Sequence, residues 1–254
     1  MPEGTQILAP SAVAAKGEMY TDKEGMQPLP TPVAMSTQQI EHAVQEYARA
    51  AEFAMDADFD GVEIHGANGY LVEQFINPGS NRRTDNYGGS IENRSRFTLE
   101  VVKAIVEKIG YDKVGIRLSP HGVFNDMLGE YPELEETYRY IAEKLKEMQL
   151  LYVHLVDHSK MGAPEVPKNT VDAIRSAFQG NLILSGGYEL MSAEEALESK
   201  RASLIAFGRP FISNPDLPRR FDTNTPLSDP DSSTFYTPGE KGYTDYPFAA
   251  VAKD

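Results

Sequence analysis

The chain has 254 residues, 41% of them hydrophobic, enough to bury one sizeable core in one large domain or two small ones. Its 38 acidic against 24 basic residues give a net charge of −14, which repels a phosphate backbone, and the lack of basic clusters argues against binding nucleic acid or an anionic membrane. No cysteine is present, so there is no disulfide framework and no thiolate metal site, and no apolar run is long enough to span a bilayer.

Residues 1–35 are rich in Gly and Pro with little periodicity and read as a loop-rich lead-in; without the charged start and apolar stretch of a signal peptide, they suit a cytoplasmic protein. From Ser36 the pattern turns helical: Ile40, Val44, Tyr47, Ala51 and Met55 form an apolar stripe that Ser36 or Thr37 can cap. Gly61 to His65 reads as a strand. Ile91 to Ile109 is helical, capped by Ser90 after the tight turn at Gly88-Gly89. A strand follows at Val114 to Ser119, and Leu134, Tyr138, Ile141, Leu145 and Met148 mark another helix. Leu150 to Val156 is a strand, and Val171, Ile174 and Phe178 give a short helix. After the strand Leu182 to Ser185, the helix Ser192 to Ser199 opens with a capping box between Ser192 and Glu195. Leu204 to Phe207 is the last strand. The chain then becomes polar and Pro-rich, and residues 222–254 read as a tail wrapping the surface of a single domain, 1–254.

Strands alternating with helices imply a parallel sheet covered by helices, in an open doubly wound sheet or a (β/α)8 barrel. The sequence supplies five strand–helix steps, not eight, and no G-x-G-x-x-G follows the first strand.

That first strand ends in His65-Gly66-Ala67-Asn68-Gly69-Tyr70. Parallel α/β folds place their chemistry at this end of a strand. His65 and Asn68 both donate hydrogen bonds, and two donors converging on one oxygen stabilise negative charge building there. Tyr70 carries a phenol, protonated at neutral pH and able to act as an acid toward a carbanion or enolate carbon. Taken singly, each residue is more often a satisfied loop or core side chain. Gathered on six positions, they point to chemistry.

The whole run from Phe59 to Phe97, with Asn81-Arg82-Arg83-Thr84-Asp85-Asn86-Tyr87-Gly88-Gly89-Ser90 inside it, resembles the Old Yellow Enzyme family of flavoprotein reductases. The resemblance implies that His65 and Asn68 hold the carbonyl or nitro oxygen of an activated alkene. It implies that Tyr70 protonates the neighbouring carbon and that the N5 of FMN delivers hydride drawn from NADPH or NADH. Family members with His at the Asn68 position exist, so Asn marks a subgroup. Enones, enals and nitroalkenes are the implied substrates.

Arg117, in the strand Val114 to Ser119, needs a partner for its charge; an internal carboxylate is one, and the resemblance puts it beside the flavin pyrimidine edge. Ser185-Gly186-Gly187 and Gly208-Arg209 end the last two strands. Bare backbone N–H groups there suit a phosphate, with Arg209 as a charged donor. By resemblance, Gly186, Gly187, Gly208 and Arg209 hold the FMN phosphate, and Ala206-Phe207-Gly208-Arg209-Pro210 is a good match. Also by resemblance, Tyr236 looks into the substrate cavity.

Family members begin with about three further strand–helix steps, which supply a hydroxyl and an amide to the flavin ring; no counterpart appears here. The expectation is therefore an α/β fold, an incomplete TIM (β/α)8-type barrel of about five C-terminal strand–helix units. Its two unpaired edges and uncovered apolar face favour self-association or a complementing chain. Competing readings are a non-catalytic fragment or subunit, and a flavin-free phosphate-binding barrel enzyme. The latter wants a Schiff-base lysine or a carboxylate base, but Lys160 and Glu63 stand without other catalytic groups in sequence.

Overall fold

The lead-in folds into strands where its sequence predicts only loop, as seen in a computed structural model that describes residues 5–249. Strand β1 (Leu8–Ala9) pairs in parallel with β4 (Val33–Ala34), and between them β2 (Glu18–Thr21) and β3 (Gly25–Pro28) form an antiparallel hairpin. The Thr21 hydroxyl closes its turn, accepting from Glu24 N and donating to Gly25 O. The hairpin strands leave no readable alternation because neither of their faces is buried: Tyr20 is 69% exposed and Met26 55%. Residues 1–4 and 250–254, parts of the expected lead-in and tail, lie outside the described residues.

Helix α1 (Thr37–Asp56) starts on a reciprocal box in which Ser36 Oγ accepts from Gln39 N and Gln39 Oε1 accepts from Ser36 N. It buries Ile40, Ala43, Val44, Ala48 and Ala51. Strand β5 (Val62–Gly66) leads to the short helix α2 (Leu71–Ile76), unannounced in the sequence because it is only six residues long. Helix α3 (Ile91–Ile109) is capped by Ser90 and ends at Gly110, whose φ of +94° suits glycine. Then come β6 (Val114–Leu118), α4 (Leu134–Glu147), β7 (Tyr152–Val156), α5 (Lys168–Phe178) and β8 (Asn181–Ser185). Helix α6 (Leu190–Glu198) begins earlier than Ser192: Glu189 is its N-cap, and Ser192 closes the box from within the first turn. Strand β9 (Leu204–Ala206) and the short helices α7 (Arg209–Ser213) and α8 (Leu217–Asp222) follow.

Strands β5 to β9 form one parallel sheet in sequence order. Its register puts Ile64, Ile116, Val153 and Leu182 abreast, all buried within the core beneath the helices. His65, Arg117, His154 and Ile183, one position further along, lie abreast on the opposite face. That face departs from the apolar surface expected of it. Glu63, His65, Arg117 and His154 make its β5–β7 side polar, while Leu204 on β9 is 55% exposed. Among the described residues β5 and β9 each pair on one side.

The segment after the β5 loop is held by Arg94. This buried guanidinium bonds Ile76 O at 3.1 Å, Gly89 O, and Glu133 Oε2 at 2.9 Å, leaving no unpaired charge inside. The Phe75 and Phe97 rings pack with centroids 4.3 Å apart, joining α2 to α3. The tail folds back on α8, where buried Arg220 bonds Asp216 at 2.7 Å and Pro247 O at 3.0 Å, and Asp216 accepts from Ala249 N.

Candidate active site

The loop leaving β5 turns on two successive left-handed residues, Asn68 (φ 60°) and Gly69 (φ 71°). Asn tolerates this conformation, and at position 69 a Cβ would lie 2.5 Å from Phe124 O, so glycine is required. The turn points both N–H groups inward. Asn68 N donates to Ser119 Oγ at 2.9 Å and Gly69 N to Glu73 Oε2 at 2.6 Å. Ser119 Oγ in turn donates to Glu73 Oε1 at 2.8 Å, and the Tyr138 hydroxyl donates to the same oxygen at 3.2 Å. Burial pushes the Glu73 carboxyl up to about 7, against the downward pull of those hydrogen bonds. Tyr138 was legible only as part of a helix stripe, and Glu73 only as a position inside the run from Phe59 to Phe97.

Two of the three loop side chains singled out in the sequence have a recorded contact. The His65 and Tyr70 rings lie 5.2 Å apart, and Tyr70 is 55% exposed. A residue that sequence reasoning missed joins them: His158, beyond β7, has its Nε2 2.6 Å from Asn68 Oδ1 and packs on Phe124 with ring centroids 4.7 Å apart. Burial, then the Arg117 charge, hold His65 below the usual histidine range against Glu63. Burial, Arg117 and Arg209 do the same to His158 against Asp157. Both shifts favour the neutral imidazole. A neutral His158 that donates from Nε2 to Asn68 Oδ1 leaves the Asn68 amide hydrogens without a protein partner among the described residues.

Arg117 does not find the internal carboxylate that was one of its two expected partners. Its Nε is buried and makes no hydrogen bond among the described residues. Glu63, the acid that feels its charge, is hydrogen-bonded elsewhere: Glu63 Oε2 lies 2.9 Å from His154 Nδ1, and His154 Nε2 lies 2.8 Å from Ser185 Oγ. Burial raises the Glu63 carboxyl, but the His154 bond and charge, Tyr152 and Arg117 outweigh it and hold the group low. Glu63 thus stands in a polar chain and is not the isolated acid that the sequence suggested.

At the ends of β8 and β9, Gly186 (φ 111°) and Gly187 (φ 72°) admit no side chain: added Cβ atoms would lie 1.9 Å from Asp157 O and 2.4 Å from Lys160 Cγ. Gly208 has open space and a negative φ, so sterics do not demand glycine there. Arg209 follows it, exposed and without an ion pair among the described residues. The charges of Arg117 and Arg209 are both felt at His158. An orphaned guanidinium N–H, a second unpaired arginine and a glycine pair fit an anionic, phosphate-bearing cofactor such as FMN. Tyr236 is not brought to this cluster; it is 96% exposed.

Tyr70 and Gln74 line a cavity of about 250 Å³ together with Ile7, Val13 and Leu29 from the lead-in and with Asp126. Larger hollows of about 830 and 630 Å³ lie at the opposite, amino ends of the strands, beside Lys113 and Asn181, away from this chemistry.

Sequential parallel strands, with their polar side chains gathered beyond the carboxyl ends, define a protein of the (β/α) barrel class. Within that class, a profile of the NADH:flavin oxidoreductase / NADH oxidase family matches residues 5–228, and the chain belongs to that family. It is 43% identical over 251 residues to a probable flavin mononucleotide-dependent alkene reductase of Leishmania infantum, covering 97% of this chain and 67% of that protein. It is 44% identical over 227 residues to putative 12-oxophytodienoate reductase 3 of Oryza sativa subsp. japonica, covering 88% and 59%. The structure of morphinone reductase in complex with tetrahydroNAD superposes with a TM-score of 0.92 at 42% identity, over 100% of this chain and 69% of that one. The chain thus spans between about three fifths and seven tenths of these relatives' lengths.

Proposed function

We propose that the chain carries out FMN-dependent reduction of activated alkenes, of the Old Yellow Enzyme type. The observation that carries this reading is the 5.2 Å approach of the His65 and Tyr70 rings, with His65 in register with Arg117, whose buried Nε makes no hydrogen bond among the described residues. His65 and Asn68 donate to the carbonyl or nitro oxygen, stabilising charge as it builds there. Tyr70 gives its phenolic proton to the adjacent carbon and, being exposed, regains one from water. Arg117, Arg209, Gly186, Gly187 and Gly208 hold FMN, which when bound supplies the hydride taken from NADH or NADPH. The apolar cavity beside Tyr70 suits the hydrocarbon body of an enone, enal or nitroalkene.

Titration of the purified chain with FMN tests this directly. A bound-flavin absorbance band and alkene-dependent oxidation of NADH or NADPH are expected. A chain that stays colourless at saturating FMN sinks the reading.

A second reading has its own support. The single-sided pairing of β5 and β9, with coverage of 59–69% of the relatives above, favours part of a (β/α)8 barrel that takes up flavin only when a complementing chain or a second copy completes it. Native mass measurement with and without FMN separates the two: flavin bound to a monomer removes the second reading. We place this chemistry in the cytoplasm, a location that fractionation of the host cell would test.

A further inference from the structure

We propose that Glu73 is a positioning residue that sets the Asn68–Tyr70 loop through a single buried carboxyl; the inference rests on the ene-reductase reading above. Glu73 is 2% exposed and forms no ion pair among the described residues. A carboxyl in that position is costly unless its hydrogen bonds are well used. Here they are used on the loop that carries the chemistry. Oε2 takes the N–H of Gly69 directly, and Oε1 takes the hydroxyl of Ser119, whose oxygen takes the N–H of Asn68. The two N–H groups exposed by the left-handed pair are thereby both satisfied from one side chain.

The third contact explains how the carboxyl itself is fixed. Tyr138, fully enclosed on α4, donates to Oε1 at 3.2 Å. Glu73 stands in the first turn of α2, Ser119 just past β6 and Tyr138 on α4, so three separate elements converge on the turn before Tyr70. An aliphatic side chain at position 73 would fill the same space and leave the Gly69 N–H and the Ser119 hydroxyl without this acceptor. The loop would then relax toward ordinary backbone angles, carrying the Asn68 amide and the Tyr70 phenol away from their shared position. Glu73 touches neither substrate nor cofactor in this scheme and acts only through the loop.

The test uses the full chain with Glu73→Leu, Glu73→Gln and Ser119→Ala. Amide hydrogen exchange is read at Asn68 and Gly69, with amides of α3 and β7 as internal reference. Glu73→Leu should speed exchange at both loop amides by at least about 10-fold with the reference amides unchanged, and Glu73→Gln, which keeps an acceptor, should restore part of the protection. Ser119→Ala should expose Asn68 more than Gly69, and it carries the test if Glu73→Leu does not fold. With FMN added, alkene turnover should fall about 10-fold while flavin reduction by NADH or NADPH is unchanged. Loop amides that keep wild-type protection in the foldable variants overturn the proposal, as does exchange that rises uniformly across α3 and β7. Loosened loop amides in a chain that reduces no alkene would uphold Glu73 and remove the ene-reductase reading instead.

Discussion

His158 Nε2 lies 2.6 Å from Asn68 Oδ1, joining the loop after β7 to the loop after β5. The contact decides which end of the Asn68 amide faces outward. His158→Ala frees that amide to rotate and should raise KM for the alkene by about 10-fold, the worth of one hydrogen bond of ~1.4 kcal/mol. His158→Gln keeps a donor within reach and should recover most of the affinity. Steady-state kinetics of the FMN-loaded chain measures both, and equal KM values in wild type and His158→Ala would refute the role.

Tyr70→Phe removes the acid and leaves the ring. Alkene reduction should fall by roughly 10²–10⁴-fold, the usual worth of a positioned proton donor, while reduction of bound flavin by NADH or NADPH continues. Stopped-flow measurement of the two half-reactions separates them. Loss of flavin binding in this variant would mean that the phenol has been misplaced in the scheme.

Arg117→Met should weaken FMN binding by at least about 10-fold, since the neutral side chain offers nothing to an anionic group. Arg117→Lys should fall between, keeping charge without the planar fork. Fluorescence titration with FMN checks the order wild type, Lys, Met.

Glu73 also makes a prediction about stability. Its carboxyl sits at about 7 when folded, against an ordinary 4.5, so the native state binds the proton more tightly than the unfolded chain. The contribution is therefore fully present below about 4.5 and is lost as pH rises through about 7. Tyr138 and Tyr131 face it from the α4 side and carry no competing charge at these pH values, because burial holds both phenols above their usual range. The stability of wild type relative to Glu73→Gln should fall by on the order of 3 kcal/mol between these limits, at ~1.4 kcal/mol per pH unit. Urea denaturation at pH 4.5 and pH 8 reads the difference.

Gly186→Ala should destabilise the fold by roughly 1–3 kcal/mol, because φ is +111° and the new methyl would press on Asp157 O. Thermal melting checks this. An unchanged Tm would show that the end of β8 can shift.

Much of this was legible from residue order. The strands and long helices of the sheet followed from apolar spacing, and His65, Asn68 and Tyr70 stood within six positions of one another. What escaped was of two kinds. Short elements such as α2, α7 and the β2–β3 hairpin have too few residues, or too little buried face, to show a period. Partners distant in sequence gave no signal either: His158 meets Asn68 across 90 positions and Tyr138 meets Glu73 across 65. Such meetings depend on how strands align, which no local pattern records. Tyr236, placed at the substrate cavity by resemblance alone, is 96% exposed.

The in-step alignment of β5, β6 and β7 has a consequence for how this chain misfolds. Side chains alternate across a strand, so a slip of one position between β5 and β6 would carry Arg117 into the layer that Ile116 now fills under the helices. The guanidinium would meet hydrocarbon, and an isoleucine would face the catalytic mouth. The register that buries Ile64, Ile116 and Val153 is thus the same one that sets His65, Arg117 and His154 side by side, so a sheet that pairs correctly orders both faces at once.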